Sequence, residues 1–524
     1  MRKFPIGIQS FEDLRRNNYL YVDKTALIYD LVNNGKVYFL SRPRRFGKSL
    51  LISTLEALFR GKRDLFEGLY IDTPLENSYQ WTVYPVLHFS LAGGEYDTAE
   101  GLESVLEDTI KQAAEEYQLS PDMWSDNTLS VRFRKLIRCL YEKTGKQIVV
   151  LVDEYDKPLL VNIDENQEML EANRRTLKSF WGVLKDMDSY LRFVFFTGVT
   201  KFSKVSVFSD LNQLNDISLD DRYANLCGIT EDELQKDFAP DIREVAEANG
   251  MDEKECLRQL AQMYDGYHFS KSEGGVYNPF SLLNTFAKKD FGMYWFTTGT
   301  PSFLIRKLMK SDVTIQNLNE GVKVSEQVLT DYTEEDPNPL PLFYQAGYLT
   351  ITAFNRAFRV YTLRFPNNEV AYGFMKSLLP VVYHSRIRDG GNFVMEIVSK
   401  LMQGDVNGFM TIIQSLFAGI PYAEGPEPYQ EREWRNQMYL LFKVMNQHVS
   451  AEVHSAEGRC DCMVETPERV YIFEFKQDRS PEEALQQIND RSYFTPYISS
   501  GKQIVKIGAN FSSRKRTLEE WVVE

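Results

Sequence analysis

The sequence predicts an α/β protein in three parts: an N-terminal domain built on a parallel sheet, a helical, winged-helix-like middle region, and a smaller C-terminal α/β domain. Apolar runs of strand length alternate with helix-period segments over roughly the first two hundred residues, the pattern of a parallel sheet covered by helices. From about Asp216 the pattern turns helix-rich, and beyond Gly425-Pro426-Glu427-Pro428 it returns to alternating strands followed by a helix. These changes divide the chain at residues 1–215, 216–430 and 431–524.

At 524 residues the chain suits about three domains of 100–200 residues each. A formal net charge of −14 argues against nucleic acid wrapped over the whole surface and confines any such contact to a local basic groove. Five scattered cysteines, Cys139, Cys227, Cys256, Cys460 and Cys462, do not make a disulfide framework and suit a reducing, cytoplasmic setting. No apolar run is long enough for a signal peptide or a membrane span, so no membrane partner is expected. No heptad pattern decides the oligomeric state, and a homo-oligomer is allowed.

In the N-terminal part the strand candidates are Val37 to Leu40, Val83 to Ser90, Gln147 to Asp153 and Arg192 to Thr197. Amphipathic stretches Ser49 to Phe59, Thr98 to Tyr117 and Leu129 to Lys143 are the helices between them. Between the first strand and the first of these helices stands Arg42-Pro43-Arg44-Arg45-Phe46-Gly47-Lys48-Ser49. A phosphate loop reads G-x-x-x-x-G-K-[ST] at such a strand-to-helix junction, where backbone N–H groups surround the phosphates, lysine meets the terminal ones and the hydroxyl holds Mg²⁺. Gly47, Lys48 and Ser49 match, but arginine holds the first glycine position. Guanidinium groups bind phosphate oxygens in pairs, so Arg42, Arg44 or Arg45 is expected to supply the charge of an arginine finger.

The run Ile148 to Val152 delivers Asp153 and Glu154 to the end of a buried strand. Asp153 suits Mg²⁺ ligation through water, and Glu154 suits orienting or deprotonating the attacking water. Thr197, at the end of the next strand, is the first candidate to sense the terminal phosphate, with Lys201 the second.

These residues resemble the bacterial AAA-ATPase-like family. The resemblance rests on Tyr21-Val22-Asp23-Lys24-Thr25, Arg42 to Leu50, Leu151 to Pro158, Thr197 to Val199 and Phe208-Ser209-Asp210-Leu211-Asn212, in that order. It spans about Phe4 to Leu214, with fainter echoes at Tyr264-Asp265-Gly266-Tyr267 and Tyr277-Asn278-Pro279. It implies a P-loop ATPase domain that binds ATP through Lys48 and Ser49, and it accounts for the missing first glycine as the family's own variant.

In the middle region Thr230 precedes Glu231, Asp232 and Glu233, a helix start with early acids. Further helices are expected over Ala239 to Ala248, Glu253 to Met263 and Pro279 to Lys289. A helix-like piece ending at Gly347-Tyr348, then two apolar strands, Leu349 to Phe354 and Phe358 to Phe365, resembles a winged helix serving as a spacer more than as a DNA reader. The aromatic cluster Tyr294-Trp295-Phe296 suits packing better than base stacking.

In the last part Glu474 and Lys476 share one strand face while Phe473 and Phe475 take the other. Asp461 lies on the preceding strand, and a hairpin through Glu465-Thr466-Pro467-Glu468 brings it opposite Glu474. Two adjacent carboxylates call for a cation between them, most simply Mg²⁺, with Lys476 positioned to hold the attacking water or stabilise developing charge. Glu452 is expected to complete the metal shell from a preceding helix. This layout resembles the PD-(D/E)XK nuclease superfamily on Glu452, Gly458-Arg459 with Asp461, Glu474 with Lys476, and a helix bearing Gln487, then Tyr493. The resemblance covers Trp434 to the end and implies a restriction-endonuclease-like fold with an active site. Cys460 and Cys462, without a second pair, read as core residues rather than zinc ligands, and His454 as a surface or packing residue.

The combination points to ATP hydrolysis coupled to Mg²⁺-dependent cleavage of nucleic acid, DNA in preference to RNA, in defence or repair. The alternative is a nucleotide-switched binding or regulatory protein whose C-terminal domain does not cleave.

Overall fold

A computed structural model describes residues 2–73, 79–98, 100–120, 128–163, 165–201, 207–208, 211–272, 274–298, 302–330, 338–383, 390–418, 431–446, 449–453 and 460–524. The chain forms two compact units, one of Met1–Asp312 with Gly321–Glu369, the other of Val313–Glu320 with Val370–Glu524. Residues 216–312 and 321–369 fall in the same unit as the parallel sheet.

The first unit holds the expected parallel sheet. Its strands are β1 (Val37–Ser41), β2 (Val86–Ser90), β3 (Ile148–Asp153), β4 (Leu191–Gly198) and the short β5 (Asn215–Asp216), in the order β2-β3-β4-β1-β5. β1 and β3 are buried at every residue, as strands covered on both faces must be, and their Val, Ile, Leu and Phe content suits that burial. The register sets Phe39 beside Phe196 and Leu151 beside Phe195, so β4 lies between β1 and β3 and the three strands end together. Helices Lys48–Phe59, Gly101–Glu116, Leu129–Thr144 and Gln167–Asp186 accompany the sheet. Phe133 stacks on Phe180 at 4.5 Å, and Phe89 meets Phe180 edge-on.

Thr230 caps the next helix as expected, in a reciprocal capping box with Glu233. That helix runs unbroken from Glu231 to Ala248 with Pro240 inside it, where two separate pieces had been expected. Its buried face, Leu234, Phe238, Ile242 and Val245, packs with Leu260, Leu282 and Phe286 of the two following helices, which holds it together across the proline. The N-terminal segment, through Phe4, Ile6, Leu20 and Val22, packs on the same core. The helix Leu340–Gln345 is followed by the hairpin β7 (Thr350–Asn355) and β8 (Val360–Arg364), and β6 (Val322–Ser325) pairs with β8 to complete a three-stranded antiparallel sheet.

The second unit contains β9 (Ser450–Val453), β10 (Cys462–Glu465), β11 (Arg469–Gln477), β12 (Gln503–Ser512) and β13 (Thr517–Val523), in the order β13-β12-β11-β10-β9. β11 and β12 are parallel, which requires a crossover, and the helix Pro481–Asp490 supplies it. Phe473 and Phe475 face a layer of Phe409, Phe442 and Trp434, so Glu474 and Lys476 are left to the opposite face. On that face the crossover helix lies directly against Gly508, whose added Cβ would stand 2.3 Å from the Pro481 carbonyl oxygen and 2.6 Å from the Leu485 nitrogen.

Gly508→Ala is therefore expected to push the helix off the sheet and to destabilise the second unit by about 1–3 kcal/mol. Chemical-denaturant unfolding followed on that unit checks this, and an unchanged midpoint would mean that the helix shifts without cost.

Candidate active sites

At the carboxyl end of β1 the chain leaves the sheet through Arg42 to Gly47 and enters the helix at Lys48. Two residues of the turn, Arg45 (φ 65°) and Gly47 (φ 87°), take left-handed backbone, and Phe46 between them is buried edge-on against Tyr267 and Phe269. Phe46 thus anchors a turn that would otherwise be an open loop. Lys48 is buried and its Nζ donates to the carbonyl oxygens of Arg42 and Pro43, at 2.9 Å each. Burial pushes its pKa down, while Asp153 and Asp156 oppose that shift.

The arginines separate by role. Arg42 is fully buried, donates to the carbonyls of Ser41, Ser218 and Tyr223, and lies 4.3 Å above the Phe269 ring. It ties the loop to the chain beyond β5 through its two terminal nitrogens, and its burial keeps it from the open side of the loop where Arg44 and Arg45 stand. Arg44 and Arg45 are exposed, with Arg45 resting over Phe280 at 4.9 Å. Ser49 is half-buried in the first helical turn.

Asp153 ends β3 and is nearly buried. Its Oδ1 accepts from the Thr197 hydroxyl at 2.6 Å and from the Glu154 amide at 3.0 Å. Thr197 lies at the end of β4, as expected, and its hydroxyl donates to Asp153. Lys201 pairs with Asp216. Glu154 is half-buried with φ 52°, a left-handed conformation that costs a residue with a Cβ on the order of 1 kcal/mol and that clusters at functional turns.

Asp156 was not singled out as a site residue in the sequence, and it proves to hold the edge of this site together. Its Oδ2 accepts from the backbone N–H groups of Val199 and Thr200, at 3.0 and 2.6 Å, and burial raises its pKa to about 6. Gly198 has to be glycine here, since a Cβ would meet the Asp156 carboxylate at 2.6 Å. The signal was present in the spacing of Asp153 and Asp156, but a carboxylate that binds backbone leaves no pattern of its own.

Beside the loop a cavity of about 110 Å³ is lined chiefly by apolar groups, among them Pro5, Val22, Phe46, Leu50, Ile229 and Leu283, with Gly47 at its wall. It borders the phosphate loop at Phe46 and Gly47.

In the second unit the β10–β11 register pairs Cys462 with Phe473, which carries Asp461 to the position opposite Glu474 as the hairpin reading required. Asp461 Oδ2 accepts from the Phe475 amide at 2.9 Å, and Glu474 Oε2 accepts from the Asp461 amide at 3.3 Å. Lys476 Nζ donates to Glu474 Oε1 at 3.0 Å and to Gln487 Oε1 at 2.6 Å, while Gln487 Nε2 donates to Glu474 Oε1 at 2.5 Å and to the Tyr493 hydroxyl at 3.4 Å. Burial first, then the Asp461 charge, raises the Glu474 pKa, and Lys476 opposes them. A further residue, Arg435 on the helix Glu431–Met445, donates to Asp461 Oδ1 at 2.9 Å. Its place depends on a contact twenty-six residues away in sequence, which no local pattern announces.

Glu452 lies on β9, opposite Met463, and not on a helix: Ser450 to Val453 pairs with β10 and is held extended by that ladder. His454, Gly458 and Arg459 lie outside the described residues. Among the described residues no three His, Cys, Asp or Glu side chains cluster as a metal cage. Asp461 and Glu474 nevertheless fit Mg²⁺, which is commonly held by one or two carboxylates and keeps several waters.

Residues 5–208 match the family model described as predicted AAA-ATPase, and residues 429–521 match that of the PD-(D/E)XK nuclease superfamily. The whole chain is 37% identical, over 532 aligned positions, to an uncharacterized protein in the vnfD 5' region of Azotobacter chroococcum mcd 1, with 99% of that protein covered. Among the described residues no helix is long and apolar enough to cross a membrane.

Because the folded-state pKa of Asp156 is raised from 3.8 to about 6, the folded protein holds that proton more tightly than the unfolded chain. The stability tied to it is present at pH below about 4 and is lost as pH rises through about 6, by roughly 2–3 kcal/mol. Asp156→Asn keeps an acceptor for both amides without the charge, so melting of the first unit is expected to depend less on pH between 4 and 7 than in the wild type.

Proposed function

This chain belongs to the predicted AAA-ATPase-like family and carries a C-terminal PD-(D/E)XK nuclease superfamily domain, and from that premise we propose that it hydrolyses ATP and cleaves nucleic acid in a Mg²⁺-dependent reaction. The observation that carries this reading is the closed network of Asp461, Glu474, Lys476 and Gln487 on one sheet face. A lysine held by both an acid and an amide, beside a second acid, is ordered for chemistry rather than for solubility.

At the first site the base occupies the apolar cavity, Lys48 and Ser49 meet the triphosphate, and Arg44 and Arg45 supply exposed positive charge at its edge. Thr197 fixes the carboxylate of Asp153, which would hold Mg²⁺ there, and Glu154 would take the proton of, or orient, the attacking water. At the second site, bound Mg²⁺ supplies Lewis-acid stabilisation of charge on the phosphate oxygens. Asp461 and Glu474 provide its oxygen ligands, with Glu452 the third candidate. Lys476 orients the attacking water or stabilises the developing charge, and Gln487 fixes Lys476. The substrate is nucleic acid in a local groove, DNA in preference to RNA, and the biological setting is defence or repair in the cytoplasm.

One observation favours a second reading, a nucleotide-switched regulatory protein whose C-terminal domain does not cleave: Arg435 already supplies a cation to Asp461. Paired experiments separate the two. Lys48→Ala is expected to lose ATP binding, whereas Glu154→Gln keeps it and slows turnover roughly 10²–10⁴-fold. Wild-type protein with Mg²⁺ is expected to digest plasmid or single-stranded substrates, and Lys476→Ala and Asp461→Ala to lose that activity by at least about 10²-fold. No cleavage of any nucleic acid, with or without nucleotide, would establish the regulatory reading.

A further inference from the structure

Trp295 is almost fully buried, 5% exposed, and its indole Nε1 donates to the carbonyl oxygen of Arg44 at 3.1 Å. The backbone of Trp295 is itself pinned from behind. Its amide donates to Glu369 Oε1 at 2.7 Å and to the Ser281 hydroxyl at 3.2 Å, and that hydroxyl donates to Glu369 Oε2 at 2.7 Å. Glu369 has no exposed surface, so the three groups form a closed polar cluster inside the first unit. The same neighbourhood cradles the preceding loop residue. Gly347 (φ 87°) has no room for a Cβ because Pro43 would stand 2.6 Å away, and Tyr348 meets Trp295 edge-on at 5.3 Å.

A tryptophan wanted only for its area would not need its N–H directed at a loop carbonyl. Here a buried indole N–H requires an acceptor, and the acceptor supplied is in the phosphate loop. In a trans peptide the C=O and the following N–H point in opposite directions, so fixing the Arg44 carbonyl also fixes the direction of the Arg45 amide. Phosphate loops bind through the directions of successive backbone N–H groups.

We propose that Trp295, held by Glu369 and Ser281, is a positioning residue for the phosphate loop, setting the Arg44–Arg45 peptide for a triphosphate. The proposal rests on the reading of that loop as a nucleotide site. Trp295 acts on the polyphosphate and not on the base, so the chemical class it serves is any triphosphate in the loop.

The test compares binding of Mg²⁺-ATP and of inorganic triphosphate to full-length wild type and Trp295→Phe by calorimetry. Loss of one hydrogen bond predicts an affinity about fivefold to tenfold weaker for both ligands alike. Weakening for ATP but not for triphosphate would make Trp295 a base-stacking group and overturn the proposal. Unchanged affinity with a lowered melting temperature would make it a packing residue and overturn it as well. If Trp295→Phe does not fold, Glu369→Gln, which keeps the shape but replaces one of the two acceptor oxygens with an NH₂ group, is expected to weaken both ligands by about twofold to fivefold; equal binding to wild type sinks the idea. Should the wild type itself bind neither ligand, the nucleotide-site reading fails and this one with it, an outcome distinct from a binding wild type matched by its variants.

Discussion

A lysine ammonium withdrawn from water has to meet oxygen, and the phosphate-loop site is organised around how Lys48 does so. Its partners are carbonyls of the turn that precedes it, so the loop folds back on its own cation. Arg42 repeats the arrangement with carbonyls of Ser41, Ser218 and Tyr223, and Phe46 closes the turn against Tyr267 and Phe269. Both side chains are thus withdrawn from water onto carbonyl oxygens, with Asp153 and Asp156 supplying the negative charge that opposes the burial of Lys48.

The second unit presents the opposite electrostatic problem. Asp461 and Glu474 stand side by side, and each of their oxygens accepts from a protein donor: Arg435, Lys476, Gln487 or a backbone amide. The raised pKa of Glu474 reports what burial beside another acid costs, and Lys476 offsets part of it. The arrangement is a carboxylate pair held in shape by its own donors.

How much of this was legible in the sequence follows from the range of each interaction. The strands ending at Ser41, Asp153 and Gly198 were legible because burial on both faces writes continuous apolar runs. The Asp461–Glu474 pairing was legible because a short turn fixes hairpin register, and the helix start at Thr230 because capping is local. Glu452 was misplaced because four residues, Ser450 to Val453, are too few to show a period, and their extended form comes from pairing with β10. Arg42 looked like a ligand because its type is right, and only the fold reveals that it is buried with its terminal nitrogens on carbonyls. Asp156, Arg435 and the Trp295–Glu369 cluster depend on partners brought close by folding, so no window of sequence contains them.

The strand that carries Glu474 and Lys476 is the middle one of five, hydrogen-bonded to β10 on one side and β12 on the other. Edge strands open by local fraying, but a middle strand exchanges its amides only when its whole cooperative unit opens. Glu474 and Lys476 therefore share the lifetime of the folded unit itself. Partial excursions that release β9 or β13 leave the Glu474–Lys476–Gln487 cluster standing, so its geometry persists until the sheet comes apart as one body.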